Sequence, residues 1–331
     1  MNPDGFLRDI LVAPERLAGL LDAYEGASSP LAALGSSGDA ARRTVFIGMG
    51  SSRFAAVAAA AHLRSQGLDA YAELASTGSR IPPSVETLAV GISASGKTPE
   101  TVEALEAHRG TSRCVAITND PESDLAGVAD LVLPLLAGHE EGGVACLTYQ
   151  ATVAVLLLAA GRTDDRPRVA DLRPSVEAAA HIREGRSLWL DDVVGLVDDA
   201  RTVATIAPAE RLSSALQSAL MLREGPRVVA DAAETGDWLH VDLYLSKRSG
   251  YAALLFTGSR FDAGVLEWSA KRAFPVVSVG APVPGSTFDI TFPGSESPFV
   301  PLLVETGVAE LVAAELWRRR PAARDPALVD S

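Results

Sequence analysis

The chain has 331 residues, of which 47% are hydrophobic and 21% charged. That length suggests about two domains with sizeable cores, and the composition excludes a disordered chain. A net charge of −13 argues against nonspecific binding to nucleic acid or an anionic membrane, while leaving room for a local basic pocket.

The N-terminus has no basic n-region and no apolar h-region, so a cytoplasmic protein is expected. Cys114 and Cys146 are too few for a disulfide framework or a structural zinc site, and the scattered histidines predict no metal site. Residues 5–25 read as an amphipathic helix pair broken near Pro14, with Leu7, Ile10 and Leu11 on one face. A Gly/Ser-rich stretch over 26–38 separates this arm from the first strand.

A strand, glycine turn and helix then recur. Residues 44–47 form a short apolar strand ending in Gly48-Met49-Gly50-Ser51-Ser52, and an alanine-rich helix follows over 54–65. Strands are expected at 87–92, 114–118 and 131–135, with a helix from Pro99. Residues 142–161 carry no charge and are long enough to span a bilayer, but Thr148, Gln150, Thr152 and the glycines favour a buried helix of a soluble domain. Residues 162–171 read as a link, followed by a polar helix over 175–192. The second half repeats the plan: strands at 202–206, 227–230, 252–257, 275–279 and 289–292, helices at 210–223, 261–272 and 300–319, then a tail. Apolar strands alternating with helices predict α/β architecture with parallel sheets covered on both faces.

The sharpest motif is Ser93-Ala94-Ser95-Gly96-Lys97-Thr98, where a strand hands over to a helix. Free N–H groups and the positive dipole end there, with three hydroxyls and a glycine, suit a phosphate or carboxylate. The same residues would also serve simply as helix caps. The spacing is not G-x-x-x-x-G-K-S/T, so this is no P-loop. The loop 48–52 lacks the third glycine and the distal acid of a dinucleotide fingerprint, so no nicotinamide cofactor is expected.

Together these blocks resemble the SIS (sugar isomerase) family, closest to the isomerase half of glucosamine-6-phosphate synthase and its single-function relatives. Leu7-Arg8-Asp9-Ile10 with Pro14 resembles the family's M-x-x-E-I-x-x-Q-P opening, and Gly50-Ser51-Ser52 its G-T-S loop. Residues 93–98 resemble S-x-S-G-E/D-T, and Ala116-Ile117-Thr118-Asn119 with Ser123-Asp124-Leu125 the next strand and loop. Glu141-Gly142-Gly143-Val144-Ala145 resembles E-x-G-V-A, and residues 219–224 resemble A-L-K-L-K-E. His240 stands sixteen residues after Glu224, the family's spacing.

The resemblance implies two tandem flavodoxin-like doubly wound SIS domains: an N-terminal helical arm over 1–35, a first domain over 36–165 and a second, with the tail, over 166–331. It implies that Ser52, Ser93, Ser95 and Thr98 hold a sugar phosphate, and that Gly50, Val144 and Ala145 contact the sugar. Glu224 would be the base at C1/C2. His240 would assist ring opening and reach the partner subunit's site, which implies a homodimer with shared active sites. No cofactor, nucleic acid or membrane is implied.

Departures narrow the chemistry. Gln217 and Met221 stand where the synthases have glutamate and lysine, His240-Val241-Asp242 replaces H-G-P, and the tail brings no lysine. With no N-terminal cysteine glutaminase either, glutamine-dependent synthesis is not expected. The expected function is ring opening and C2 proton abstraction on glucosamine or N-acetylglucosamine 6-phosphate, ending in isomerisation or deamination. The alternatives are a dehydratase eliminating the C3 substituent, which a more apolar pocket at Met221 favours slightly, and a non-catalytic sugar-phosphate sensor.

Overall fold

The computed structural model describes residues 1–26, 28–34, 41–159 and 166–320. The expected boundaries at 35/36 and 165/166, part of the 26–38 stretch and the tail after 320 lie outside them. Two five-stranded, all-parallel sheets organise the described residues. The first contains β1 (Arg43–Gly48), β2 (Asp69–Leu74), β3 (Thr87–Ile92), β4 (Arg113–Thr118) and β5 (Leu131–Pro134), in the order 2-1-3-4-5. The second contains β6 (Thr202–Ala207), β7 (Ala230–Glu234), β8 (Tyr251–Phe256), β9 (Val276–Gly280) and β10 (Phe288–Thr291). Its order is 7-6-8-9-10, the same arrangement repeated. Every residue of β3, β8 and β9 is buried, because both faces of a central parallel strand are covered.

Several expectations need correction. β2 was not predicted: it is an edge strand whose only buried residue is Ala70, so it lacks the apolar run that marks its neighbours. The strand expected at 227–230 lies at Ala230–Glu234. The helix expected over 175–192 is α7 (Pro174–Glu184), a 3-10 turn at Gly185–Leu188 and α8 (Leu190–Asp198). In chain order, α2 is Gly50–Ser65, α3 Pro99–Glu106, α4 Asp124–Gly127, α5 Leu147–Ala159 and α6 Val169–Leu172. α9 is Leu212–Glu224, α10 Thr235–Trp238 and α11 Asp262–Arg272. The helix expected over 300–319 is two, α12 (Val300–Val304) and α13 (Thr306–Arg319). The uncharged stretch forms the buried 13-residue α5, and among the described residues no helix is long and apolar enough to cross a membrane.

The expected helix pair is one continuous helix, α1 (Pro3–Ala23), with Pro14 inside it. A proline has no N–H for the carbonyl four residues back, so Ile10 O lies free of the helix ladder. Arg183 of α7 fills the gap: its Nε donates to Ile10 O at 2.5 Å. On both sides of Pro14, Phe6, Ile10, Ala13, Leu17 and Leu20 are buried, so one apolar stripe holds the helix together across the break.

Helices α1, α2, α5, α9 and α13 pack on one another, and a single apolar core runs through both halves of the chain. Helix α1 and the loop before α5 approach backbone to backbone. A Cβ on Gly142 would lie 2.5 Å from Phe6 Cα, and one on Gly5 would lie 2.7 Å from Glu141 O. Gly19, on the same helix as Gly5, has nothing among the described residues within 4 Å of its missing Cβ. Two substitutions of the same kind therefore have opposite signs. Gly142→Ala is expected to destabilise by about 3 kcal/mol, because backbone rather than a side-chain tip must move. Gly19→Ala is expected to stabilise by about 0.5–1 kcal/mol through helix propensity. Chemical denaturation of both variants checks this.

Candidate active site

In the strand order 2-1-3-4-5 the chain turns one way after β1 and the other way after β3, which opens a crevice at the carboxyl ends of these strands. The loops 48–52 and 93–98 both lie there. Gly50 opens α2 at φ +50°, and Met49 before it makes no side-chain cap, so the first amides of α2 are left uncapped by it. Ser52 N donates to Met49 O at 3.1 Å, within this first turn.

The second loop is tighter. Ser93 N donates to Ile117 O, and Ser93 Oγ accepts from Gly96 N at 3.1 Å and lies 3.0 Å from Thr98 Oγ1. Ser95 Oγ accepts from Lys97 N at 3.2 Å. Thr98 makes no side-chain cap on α3. The capping alternative thus does not describe these hydroxyls: they brace the loop, with Ser95 exposed at the crevice. Gly96 is at φ +65°, and a Cβ there would meet Ser123 Oγ at 2.0 Å, so only glycine fits. Lys97 Nζ, also exposed, lies 4.0 Å from Asp120 Oδ2.

The segment 140–146 borders the same crevice and is held from three directions. Asp9 of α1, 2% exposed, accepts from Glu141 N at 3.0 Å and Gly142 N at 2.7 Å. Glu140 accepts from Thr148 N and Thr148 Oγ1, both at 2.8 Å, and from Cys146 Sγ at 3.5 Å. Burial raises the pKa of Glu140, against the hydrogen bonds from Thr148. Gln217 of α9 donates through Nε2 to Ala145 O at 2.8 Å. Among the described residues the N–H groups of Val144 and Ala145 carry no hydrogen bond, which leaves two adjacent donors for an oxygen of a ligand. Cys146 is buried, and desolvation pushes its thiol well above the ordinary range; Cys114 is also buried, its thiol pushed up to about 11, chiefly by desolvation.

Helix α9 carries Glu224. Gln217, Met221 and Glu224 are spaced four and seven residues along one face, so Glu224 lies about 10 Å along the axis from Gln217. Gln217 and Met221 are fully buried. Glu224 is half-buried, and burial raises its pKa, with the Arg227 charge opposing. Arg227 Nη1 also donates to Glu224 O at 2.7 Å.

His240 is elsewhere. Because β6 and β7 are parallel, α9 runs from the carboxyl edge of the second sheet back to its amino edge, and Glu224 ends it there. His240 follows β7 and α10 at the carboxyl edge, exposed beside exposed Val241 and Tyr244. The 13 residues of α9 alone put about 20 Å between the two edges. One chain therefore groups 48–52, 93–98 and 140–146 with α9, and does not bring His240 to Glu224. Among the described residues no three His, Cys, Asp or Glu side chains converge as metal ligands would.

Sequence reasoning missed Asp9, Glu140 and Gln217 as positioning groups. The available signal was an acid, Asp9, set between Leu7 and Ile10 on the apolar face of α1. Asp9→Asn turns one of two acceptors into a donor facing an N–H. The expected loss is about 2–3 kcal/mol in chemical denaturation. Amide exchange should accelerate at 141 and 142 ahead of the rest of the fold.

Comparison with known proteins gives this geometry a context. Residues 39–162 match the SIS domain family. A glutamine–fructose-6-phosphate aminotransferase (isomerizing) of Aeropyrum pernix is 28% identical over 254 residues, which cover 72% of this chain and 41% of that protein. The chain thus spans well under half the length of this curated relative. The C-terminal domain of the glucosamine-fructose-6-phosphate aminotransferase of Francisella tularensis superposes with a TM-score of 0.75 at 16% identity, over 95% of this chain and 96% of that one. Glucosamine-6-phosphate deaminase of Thermotoga maritima superposes with a TM-score of 0.68 at 17% identity, over 96% and 95%. At these identities the two structures speak to fold alone.

Proposed function

With a SIS domain in its first half as the premise, we propose that the chain is a phosphosugar enzyme acting on an amino-sugar 6-phosphate by ring opening and C2 proton abstraction, ending in isomerisation or deamination. We read it as two tandem SIS domains, 36–165 and 166–331, after a helical arm over 1–35. The observation that carries the reading is Glu224: a half-buried carboxyl of raised pKa, on the helix face whose Gln217 holds Ala145 O beside two N–H donors unbonded among the described residues.

The steps follow from these groups. Ser52, Ser93, Ser95 and Thr98 bind the phosphate, with the amino end of α2 favouring its charge. This remote anchor fixes C1 and C2 and limits the motion the reaction must freeze out. In the open-chain sugar the C2 proton is acidified by the C1 carbonyl. Glu224 takes that proton, the C2–H electrons form the C1=C2 bond, and the C1 oxygen becomes an enediol oxygen stabilised by the Val144 and Ala145 N–H groups. Return of the proton to C1 gives the ketose. On a 2-amino sugar, the resulting C2 imine is hydrolysed by water, with release of ammonia.

A second outcome is favoured by one observation: Met221, fully buried beside Gln217, gives this face a thioether where a lysine would handle an amine. Elimination of the C3 hydroxyl from N-acetylglucosamine 6-phosphate then follows the same C2 abstraction.

Proton NMR in D2O with glucosamine 6-phosphate and N-acetylglucosamine 6-phosphate tests the reading. The C2 proton signal should be lost with the wild type and retained with Glu224→Gln. The exchange rate should fall as pH drops through the Glu224 pKa, since the base works deprotonated, and that midpoint should lie above the ordinary glutamate range. Retention of the C2 signal with both sugars would sink the C2-base assignment.

We further read His240 as completing the site of a second copy, since its own Glu224 lies at the other edge of the sheet. Glu224→Gln and His240→Ala variants, each inactive alone, should then complement when mixed and refolded together. Random pairing restores one intact site in half of the dimers, about a quarter of wild-type activity. No recovery would leave His240 outside the site.

A further inference from the structure

Because the two sheets share one strand order, positions after corresponding strands can be matched by counting. β1 ends at Gly48, and Ser52 is four residues on; β6 ends at Ala207, and Arg211 is four residues on. β3 ends at Ile92, with Ser93 next and Thr98 six residues on. β8 ends at Phe256, with Thr257 next and Asp262 six residues on. Three of the four hydroxyls of the first cradle thus become a guanidinium, a hydroxyl and a carboxylate in the second, while the fourth, Ser95, is matched by Ser259.

These replacements engage the groups an incoming anion would use. Asp262 Oδ2 accepts from Gly258 N at 2.7 Å and Ser259 N at 3.1 Å. Arg211 donates to Thr257 O and to Glu305. Thr257 Oγ1 accepts from Ala281 N at 2.7 Å. Asp262 is 7% exposed, and its other oxygen, Oδ1, is buried without a hydrogen-bond partner among the described residues. A buried carboxylate oxygen without a partner calls for an explanation, and an internal acid standing where a more fully coordinated anion would sit is one.

We propose that the second half holds a latent anion site that its own Asp262 carboxylate keeps filled, so that each chain binds a sugar phosphate only at the first cradle. This rests on the phosphosugar reading of that first cradle. Three negative oxygens of a phosphate cannot share the space with Asp262. Removing Asp262 frees the Gly258 and Ser259 N–H groups beside Arg211, a donor set suited to phosphate.

Isothermal titration of the full chain with glucosamine 6-phosphate, and separately with inorganic phosphate, tests it. The wild type should bind a single equivalent per chain, all of it lost in Ser93→Ala/Thr98→Val. Asp262→Ala should acquire a second equivalent of phosphate, and adding Arg211→Ala should remove it. Asp262→Asn, which keeps the shape and removes the charge, provides a milder variant should alanine fail to fold, and should gain the same site more weakly. Two equivalents in the wild type, with one surviving Ser93→Ala/Thr98→Val, would overturn the proposal and leave the phosphosugar reading standing. Folded Asp262→Ala and Asp262→Asn proteins with no added site would also overturn it. A wild type that binds neither ligand, beside an Asp262→Ala variant that gains phosphate binding, would support the latent site and remove the phosphosugar reading instead.

Discussion

Two adjacent backbone N–H groups, at Glu141 and Gly142, end on one buried carboxylate, and the geometry of the candidate site depends on that contact. Asp9 can reach them only because Gly5 and Gly142 let α1 lie against the loop with no side chain between. With the loop seated, Glu140 can bind the first turn of α5, and the Ala145 carbonyl can meet Gln217 of α9. Three distant parts of the chain are thereby fixed by one seven-residue segment. Among the described residues the N–H groups of Val144 and Ala145 carry no hydrogen bond, so this held segment presents them as donors.

The same economy of partners appears in the core. Arg183 is buried, and a buried guanidinium needs acceptors on several sides. It has Ile10 O at 2.5 Å, Ala179 O at 2.9 Å and the Glu310 carboxylate at 3.9 Å. The first of these acceptors is available because Pro14 cannot use it. A residue that normally interrupts a helix here supplies the carbonyl that joins α1 to α7, and Glu310 joins both to α13.

Much of the architecture was legible in the sequence because central parallel strands are buried on both faces, and their apolar runs end in glycine or serine turns. β2 was not legible, since an edge strand needs few apolar residues. The Pro14 break was misread because the compensating donor, Arg183, lies 169 residues away in sequence. The cradle loops could be placed from strand–turn–helix grammar and family likeness. The positioning of 140–146 by Asp9 and Gln217 could not, since both contacts join separate elements. Nor could the separation of Glu224 from His240: sixteen residues of sequence say nothing about which end of a sheet each side chain occupies until the strand direction between them is known.

One feature of the loop reaches beyond ligand chemistry. Cys146 is packed under Glu140 with its thiol held neutral, and Cys114, the other cysteine, is sealed in the first sheet. Neither offers a thiolate to a reagent while the native packing holds. The two sulfurs therefore act as built-in clocks for opening of the first sheet and its bordering loop. Their labelling rates count excursions from the folded state rather than surface reactivity. Since Cys146 borders the crevice and Cys114 does not, the ratio of the two rates separates local breathing of the loop from loss of the whole sheet.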